Sequence, residues 1–144
     1  MQNTIECLLL LAILSVAIAY CSPKQTLDRL PSKYLRFGSG GGVVGETTTW
    51  TLFPNGQLFR TRTLQPDTLE WQQHSRRTAR RLFQEAEAMS LLDRPPFEHP
   101  GNRYYFVEWT EGERSQRITW GRLEHPVDST IEALYQRLVA LTRP

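Results

Sequence analysis

Apolar and polar positions change their period several times along the chain, and each change marks an expected element. Cys7 to Tyr20 is an apolar run of about 14 residues, interrupted only by Ser15. That length suits the hydrophobic core of a secretory signal and falls short of the ~20 residues a membrane-spanning helix needs. From Ser22 to about Lys33 the chain is polar, carries Pro23 and Pro31 and holds no sustained period, which predicts a tether. Thr47-Thr48-Thr49-Trp50-Thr51-Leu52 is β-branched and aromatic, Pro54-Asn55-Gly56 follows, and Gln57 to Arg62 alternates imperfectly. This predicts a hairpin, because Asn-Gly supplies the positive φ of a tight turn. A shorter alternation occurs at Leu69-Glu70-Trp71.

The period then lengthens. Ala79, Leu82, Phe83, Ala86 and Met89 recur at three and four residues, which places them on one face of a helix that Ser75 or a neighbour starts. Arg103 to Thr110 reverts to alternation, with Tyr105, Val107 and Trp109 on one face and Tyr104, Phe106 and Glu108 on the other. Glu111-Gly112-Glu113 turns that strand into Arg117-Ile118-Thr119-Trp120, a second hairpin. Ser129-Thr130-Ile131-Glu132 reads as a capping box opening a helix whose Ile131, Leu134, Tyr135, Leu138 and Leu141 share a face. The expected fold is α+β, in the order β-β-α-β-β-α: an antiparallel sheet of two hairpins with both helices packed on one face, since each helix has one apolar stripe to cover. The expected organisation is a signal peptide over residues 1–20, a tether over 21–33 and a single domain over 34–144.

Cysteine usage and charge sharpen the picture at the amino-terminal end. Cys21 follows the apolar run directly, and cleavage just before a cysteine is how bacterial lipoproteins are processed. Val16-Ala17-Ile18-Ala19-Tyr20-Cys21 resembles a lipobox, although Tyr20 is larger than the residue usual there, and the leading MQNTIE has Glu6 and no Lys or Arg. Lipidation of Cys21 also accounts for a cysteine that would otherwise stand alone in an exported chain. Removal of residues 1–20 takes away Cys7 and Glu6, leaving no disulfide to form and moving the net charge from +2 to +3. Such a chain folds on its apolar core without cofactor, and its near balance of charge gives no reason to expect nucleic acid as a partner.

The candidate chemistry is sparse. Phe37-Gly38-Ser39-Gly40-Gly41-Gly42-Val43-Val44-Gly45 contains a G-x-G-x-x-G pattern at Gly40, Gly42 and Gly45. The residues after it favour a strand, whereas a dinucleotide loop must open a helix, and Glu46 stands where a phosphate loop needs lysine. The tract is read as a glycine-rich strand start, bulge or rim loop, with Gly38, Gly40, Gly41 and Gly42 as candidate partner-binding positions where backbone closely approaches another molecule. Glu98-His99-Pro100 and Glu124-His125-Pro126 are turns whose histidines, if the hairpin ends met, would be the weak candidates for a metal. Arg76, Arg77, Arg80 and Arg81 cluster at the start of the first helix against its dipole, with Glu85 one turn from Arg81. This is read as a solvated basic face, or as contact with a phosphate-bearing envelope polymer or an acidic protein. No nucleophile arrangement of the G-x-S-x-G kind occurs.

The succession FGSGGGVVGETTTWTLFPNGQLF, an amphipathic helix, HPGNRYYFVEWTEGERSQRITWG and a terminal helix resembles uncharacterised small bacterial lipoproteins over most of the mature chain. Through its Gly41-Gly42 region and element order it more loosely resembles emfourin, a small inhibitor of thermolysin-like proteases. These resemblances imply a lipid-anchored, non-catalytic binding protein of the bacterial cell envelope, held to the membrane through its amino-terminal lipid and engaging a protein or envelope polymer. The alternatives are a secreted or periplasmic location, protease inhibition, and a metal-dependent hydrolase built on His99 and His125.

Overall fold

A computed structural model describes residues 26–143, so Cys21 and the apolar run lie outside the described residues. The sheet is built around β1 (Lys33–Gly41), which pairs on one side with β2 (Thr48–Leu52) and on the other with β6 (Arg103–Glu111). β3 (Gln57–Arg62) and β4 (Gln65–Gln73) extend one flank, and β7 (Arg114–Trp120) and β5 (Phe97–His99) the other. The strand order is β4-β3-β2-β1-β6-β7-β5. Every neighbour is antiparallel except β5 and β7, which run parallel from Phe97 opposite Ile118 to His99 opposite Trp120.

This corrects the expected α+β arrangement of two hairpins in the order β-β-α-β-β-α. The molecule has a seven-stranded mixed sheet with two helices, in the order β-β-β-β-α-β-β-β-α. Three strands account for the difference. β1 is rich in glycine, which normally weakens a strand, yet it is the central strand of the sheet, paired from Lys33 to Gly41 with β6 and on its other edge with β2. β4 has no inward apolar stripe, being exposed over nearly its whole length. β5 is only three residues long, between Pro95-Pro96 and Pro100, and follows a crossover that makes it parallel to β7.

The first helix, α1 (Arg76–Ala88), starts where the Ser75 hydroxyl accepts the Thr78 N–H at 3.0 Å, satisfying one of the helix's unpaired donors. A left-handed Ser90 (φ 49°) then breaks the helix and leads into a short 3₁₀ turn, Leu91–Asp93, that buries Leu91. The second helix, α2 (Ser129–Ala140), opens one residue earlier than the capping box implies. Asp128 is its cap, accepting the Thr130 N–H at 2.8 Å and the Thr130 hydroxyl at 2.6 Å. Those two hydrogen bonds from Thr130, with Arg94 alongside, hold the Asp128 carboxyl down at about 2.

Ala79, Leu82, Phe83 and Ala86 of α1 and Ile131, Leu134, Tyr135 and Leu138 of α2 close over one face of the sheet. There they meet Leu35, Phe37, Leu52, Leu58, Val107, Trp109, Ile118 and Trp120. Each large side chain so buried contributes about 1.5–3 kcal/mol. Phe83 meets Trp109 edge-on at 5.7 Å, and Tyr105, Trp120 and Tyr135 form a second aromatic group with centroids 5.2–6.0 Å apart.

The opposite face carries no described helix. It holds Phe53, Phe59 and Phe106, all buried yet outside the main core, and a line of cross-strand charge. Arg36 and Arg117 flank Glu108 at 3.3 and 3.8 Å, and the Arg117 guanidinium lies 3.7 Å from the Phe106 ring centroid. A shallow depression of about 320 Å³ runs over Thr49, Thr51 and Thr61 beside this charge line, and Leu27 forms one of its walls.

Candidate functional site

The candidate partner-binding glycines lie at the far end of β1 from its first residue. Gly38, Gly40 and Gly41 belong to the strand, and Gly42 opens the loop to β2. Gly38 and Gly40 are both buried in the sheet. A Cβ on Gly38 would collide with the Thr48 carbonyl oxygen, and one on Gly40 would come within 2.5 Å of the Tyr104 hydroxyl and 2.6 Å of the Thr47 hydroxyl. Those two hydroxyls hydrogen-bond at 2.8 Å directly over Gly40. Gly41 (φ 89°) lies against the Asn102 carbonyl, which accepts the Gly42 N–H at 2.7 Å. Three of the four glycines are thus explained by close packing within the protein.

Gly42 differs. Its φ of 78° needs a residue without a side chain, but nothing lies within 4 Å of the place a Cβ would occupy. Gly45 (φ 68°) is alike, and its N–H returns to the Gly42 carbonyl at 3.3 Å. Between them Val43 and Val44 project at the tip, 105% and 73% exposed. The base of this tip is held by β6 through Tyr104 and by the β3–β4 turn, where the Thr63 hydroxyl accepts the Thr47 N–H at 2.9 Å. Beside the tip is a depression of about 360 Å³ that also touches Arg103 and Tyr105. Beneath it, burial with the neighbouring Tyr105 pushes the Tyr135 hydroxyl up to about 12, against the opposing hydrogen bond from Ser39.

Sequence reasoning singled out the glycines and passed over the two valines they frame. The signal was present: adjacent β-branched apolar residues between glycines belong either in a strand or, when left in a loop, on a surface with something to touch.

The structure brings His99 and His125 together. Their rings stack with centroids 4.1 Å apart and planes 21° apart, and Phe97 meets His99 edge-on at 4.7 Å. Imidazole donates to a metal through a lone pair in the ring plane, and two rings stacked face to face direct those lone pairs along separate planes instead of toward one ion. Among the described residues no group of three His, Cys, Asp or Glu side chains is placed to hold a metal. In the arginine cluster, Arg81 reaches Glu85 at 3.4 Å, and Glu85 also receives Arg137 of α2 at 2.7 Å. No described helix is long and apolar enough to cross a membrane.

No family model matches the chain, and no curated protein matches it.

Proposed function

We propose that this chain is a lipid-anchored protein of the bacterial cell envelope with a non-catalytic binding role, and that the β1–β2 tip takes the partner. The observation that carries the reading is the exposure of Val43 and Val44, 105% and 73%, on a loop whose base is tied to β6 on one side and to the β3–β4 turn on the other. Two apolar side chains left in water on a rigid support cost the free protein little reorganisation when a complementary apolar cleft covers them. The depression beside Arg103 supplies a polar rim of the kind that surrounds such a contact.

Two experiments test the proposal. Affinity capture from envelope extracts with the intact protein and with a Val43→Ser, Val44→Ser variant should recover a partner only with the former, at equal thermal midpoints. Equal recovery by both removes the tip from the interface. Mass spectrometry of the mature amino terminus should show an acylated Cys21, and Cys21→Ser should release the protein from membranes; an unmodified terminus at another residue would refute the anchor.

The same tip favours a second reading, protease inhibition, since a β-branched apolar pair on a clamped loop suits the substrate cleft of a protease that prefers bulky apolar residues. Slowed hydrolysis of an apolar peptide by such a protease, relieved in the valine-to-serine variant, would select this form of the binding role.

A further inference from the structure

On the helix-free face one cross-strand row can be followed through the register from β4 to β7. Trp71 lies opposite Phe59, Phe59 opposite Thr51, Thr51 opposite Arg36, Arg36 opposite Glu108 and Glu108 opposite Arg117. Directly opposed residues point to the same side of a sheet, so Trp71 belongs to this face, and Leu69, two residues before it, follows on the same side. The two are 52% and 49% exposed. Among the described residues Trp71 is the one exposed tryptophan. Tyr34 shares the face, two residues before Arg36 on β1, and the Arg36 guanidinium lies 4.8 Å from its ring centroid. Thr49, Thr51 and Thr61 keep the middle of the face low, and there the depression of about 320 Å³ lies.

Where the chain enters the fold commits this face to an occupant. Leu27 walls the depression, whose other residues come from β1, β2, β3, β6 and β7, so the chain before β1 arrives over the middle of the face. β1 is the central strand, with three strands on either side. Leu27 stands six positions after Cys21, and an extended chain of that length spans at most about 20 Å. Passing from the middle of the face round a border takes three strand spacings, about 14 Å, and clearing the helix layer beyond takes at least about 10 Å more. An anchor at Cys21 falls short of that path. It therefore holds the helix-free face, and not the layer of α1 and α2, beside the lipid.

We propose that the helix-free face is the surface that lies on the phospholipid bilayer, an inference that builds on the lipid-anchor reading above. Trp71 and Tyr34 each combine an apolar ring with a polar tip, the kind of side chain that settles where acyl chains meet headgroups. Covering the exposed halves of Leu69 and Trp71 adds apolar contact. Arg36 and Arg117 converge on Glu108, and Glu98, opposite Thr119 at the β5 border, supplies a second carboxylate on the same face. These four charges cancel, so the contact needs no anionic lipid. A weak apolar contact alone gives only marginal, reversible binding; the anchor supplies attachment and the face supplies orientation. Laid this way, the β1–β2 tip runs along the membrane surface and the arginines of α1 face away from it.

The test uses the full chain, isolated from membranes and reconstituted into phosphatidylcholine vesicles with or without bromine on the acyl chains. Flotation reports attachment, and tryptophan emission reports which surface meets the lipid, because bromine quenches only rings close to it. The intact protein should float and lose emission on the brominated vesicles, and Trp71→Phe should float with that loss abolished, at an unchanged thermal midpoint. High salt should leave the quenching as it is, since screening has no net charge on the face to act upon. A protein carrying Trp71→Phe and Arg80→Trp places the reporter on the helix layer and should show no quenching, and Cys21→Ser should fail to float. Flotation without quenching of Trp71, or with quenching of the reporter at position 80, overturns the docking face and leaves the anchor standing. A Cys21→Ser protein that floats as well as the intact chain, with Trp71 quenched, refutes the anchor and upholds the face, and failure of the intact chain to float overturns both.

Discussion

Replacing Gly38 with alanine tests the claim that the glycine tract is a strand packed on both sides. A Cβ at Gly38 meets the Thr48 carbonyl oxygen well inside contact distance and comes within 3.0 and 3.1 Å of two Phe106 ring carbons. Phe106 is 1% exposed, and the Arg117 guanidinium lies over its ring, so it has little room to turn. The Thr48 carbonyl belongs to β2 and moves only if the strand moves. Overpacking of this kind costs about 1–3 kcal/mol, and separating β2 from β1 near Ser39 and Thr48 sacrifices ladder hydrogen bonds at about 1 kcal/mol each. The expected loss is about 3–4 kcal/mol, a large fraction of the ~5–15 kcal/mol that holds a domain folded. Gly42→Ala is the matched control. With open space around it, it should lose only the left-handed backbone penalty of about 1–2 kcal/mol. Urea denaturation of both variants measures the difference, with an unchanged slope certifying that only stability has altered. A Gly38→Ala protein no less stable than Gly42→Ala would refute the packing argument and return the tract to the status of an adaptable loop.

Two further outcomes follow from single side chains. Because the Asp128 carboxyl is held at about 2 instead of 3.8, its contribution to stability is fully present above about pH 4 and is lost as the pH falls toward 2; Asp128→Asn should flatten that part of the acid limb, and parallel curves for the two proteins would contradict the assignment. Trp109→Ala, at a site 2% exposed and packed against Phe83, should cost about 3–5 kcal/mol in the same urea assay, and a loss below about 1 kcal/mol would mean that the core closes over the gap.

The elements that read clearly from the sequence are those whose pattern reflects burial on one side. α1 shows its period because Ala79, Leu82, Phe83 and Ala86 face the sheet while arginines face water. β6 shows its alternation because Val107 and Trp109 enter the core, and β2–β3 announces itself through Asn55-Gly56. β1 was hidden because it needs the absence of side chains: Thr48, Tyr104 and Asn102 crowd the positions where alternating residues would otherwise have marked a strand. β4 was hidden for the opposite reason, as backbone pairing to β3 holds it without burial to leave a periodic trace. At the candidate site, the glycines were visible as composition, but the role of each depended on its neighbours. The meeting of His99 and His125 depends on the crossover into β5, which no local spacing encodes.

The two borders of the sheet are unlike. β5 is three residues between prolines, too short to template another strand, whereas β4 offers nine residues with one backbone edge unpaired among the described residues. Pro66, Asp67, Glu70 and the irregular register opposite Arg60–Arg62 make β4 a poor template as well. Unequal borders also limit what happens if that defence fails under stress. Two molecules joined through β4 would each present only a blocked β5 border to the outside, so the assembly ends at a symmetric pair. The shape of its own sheet thereby keeps the protein from growing into fibres.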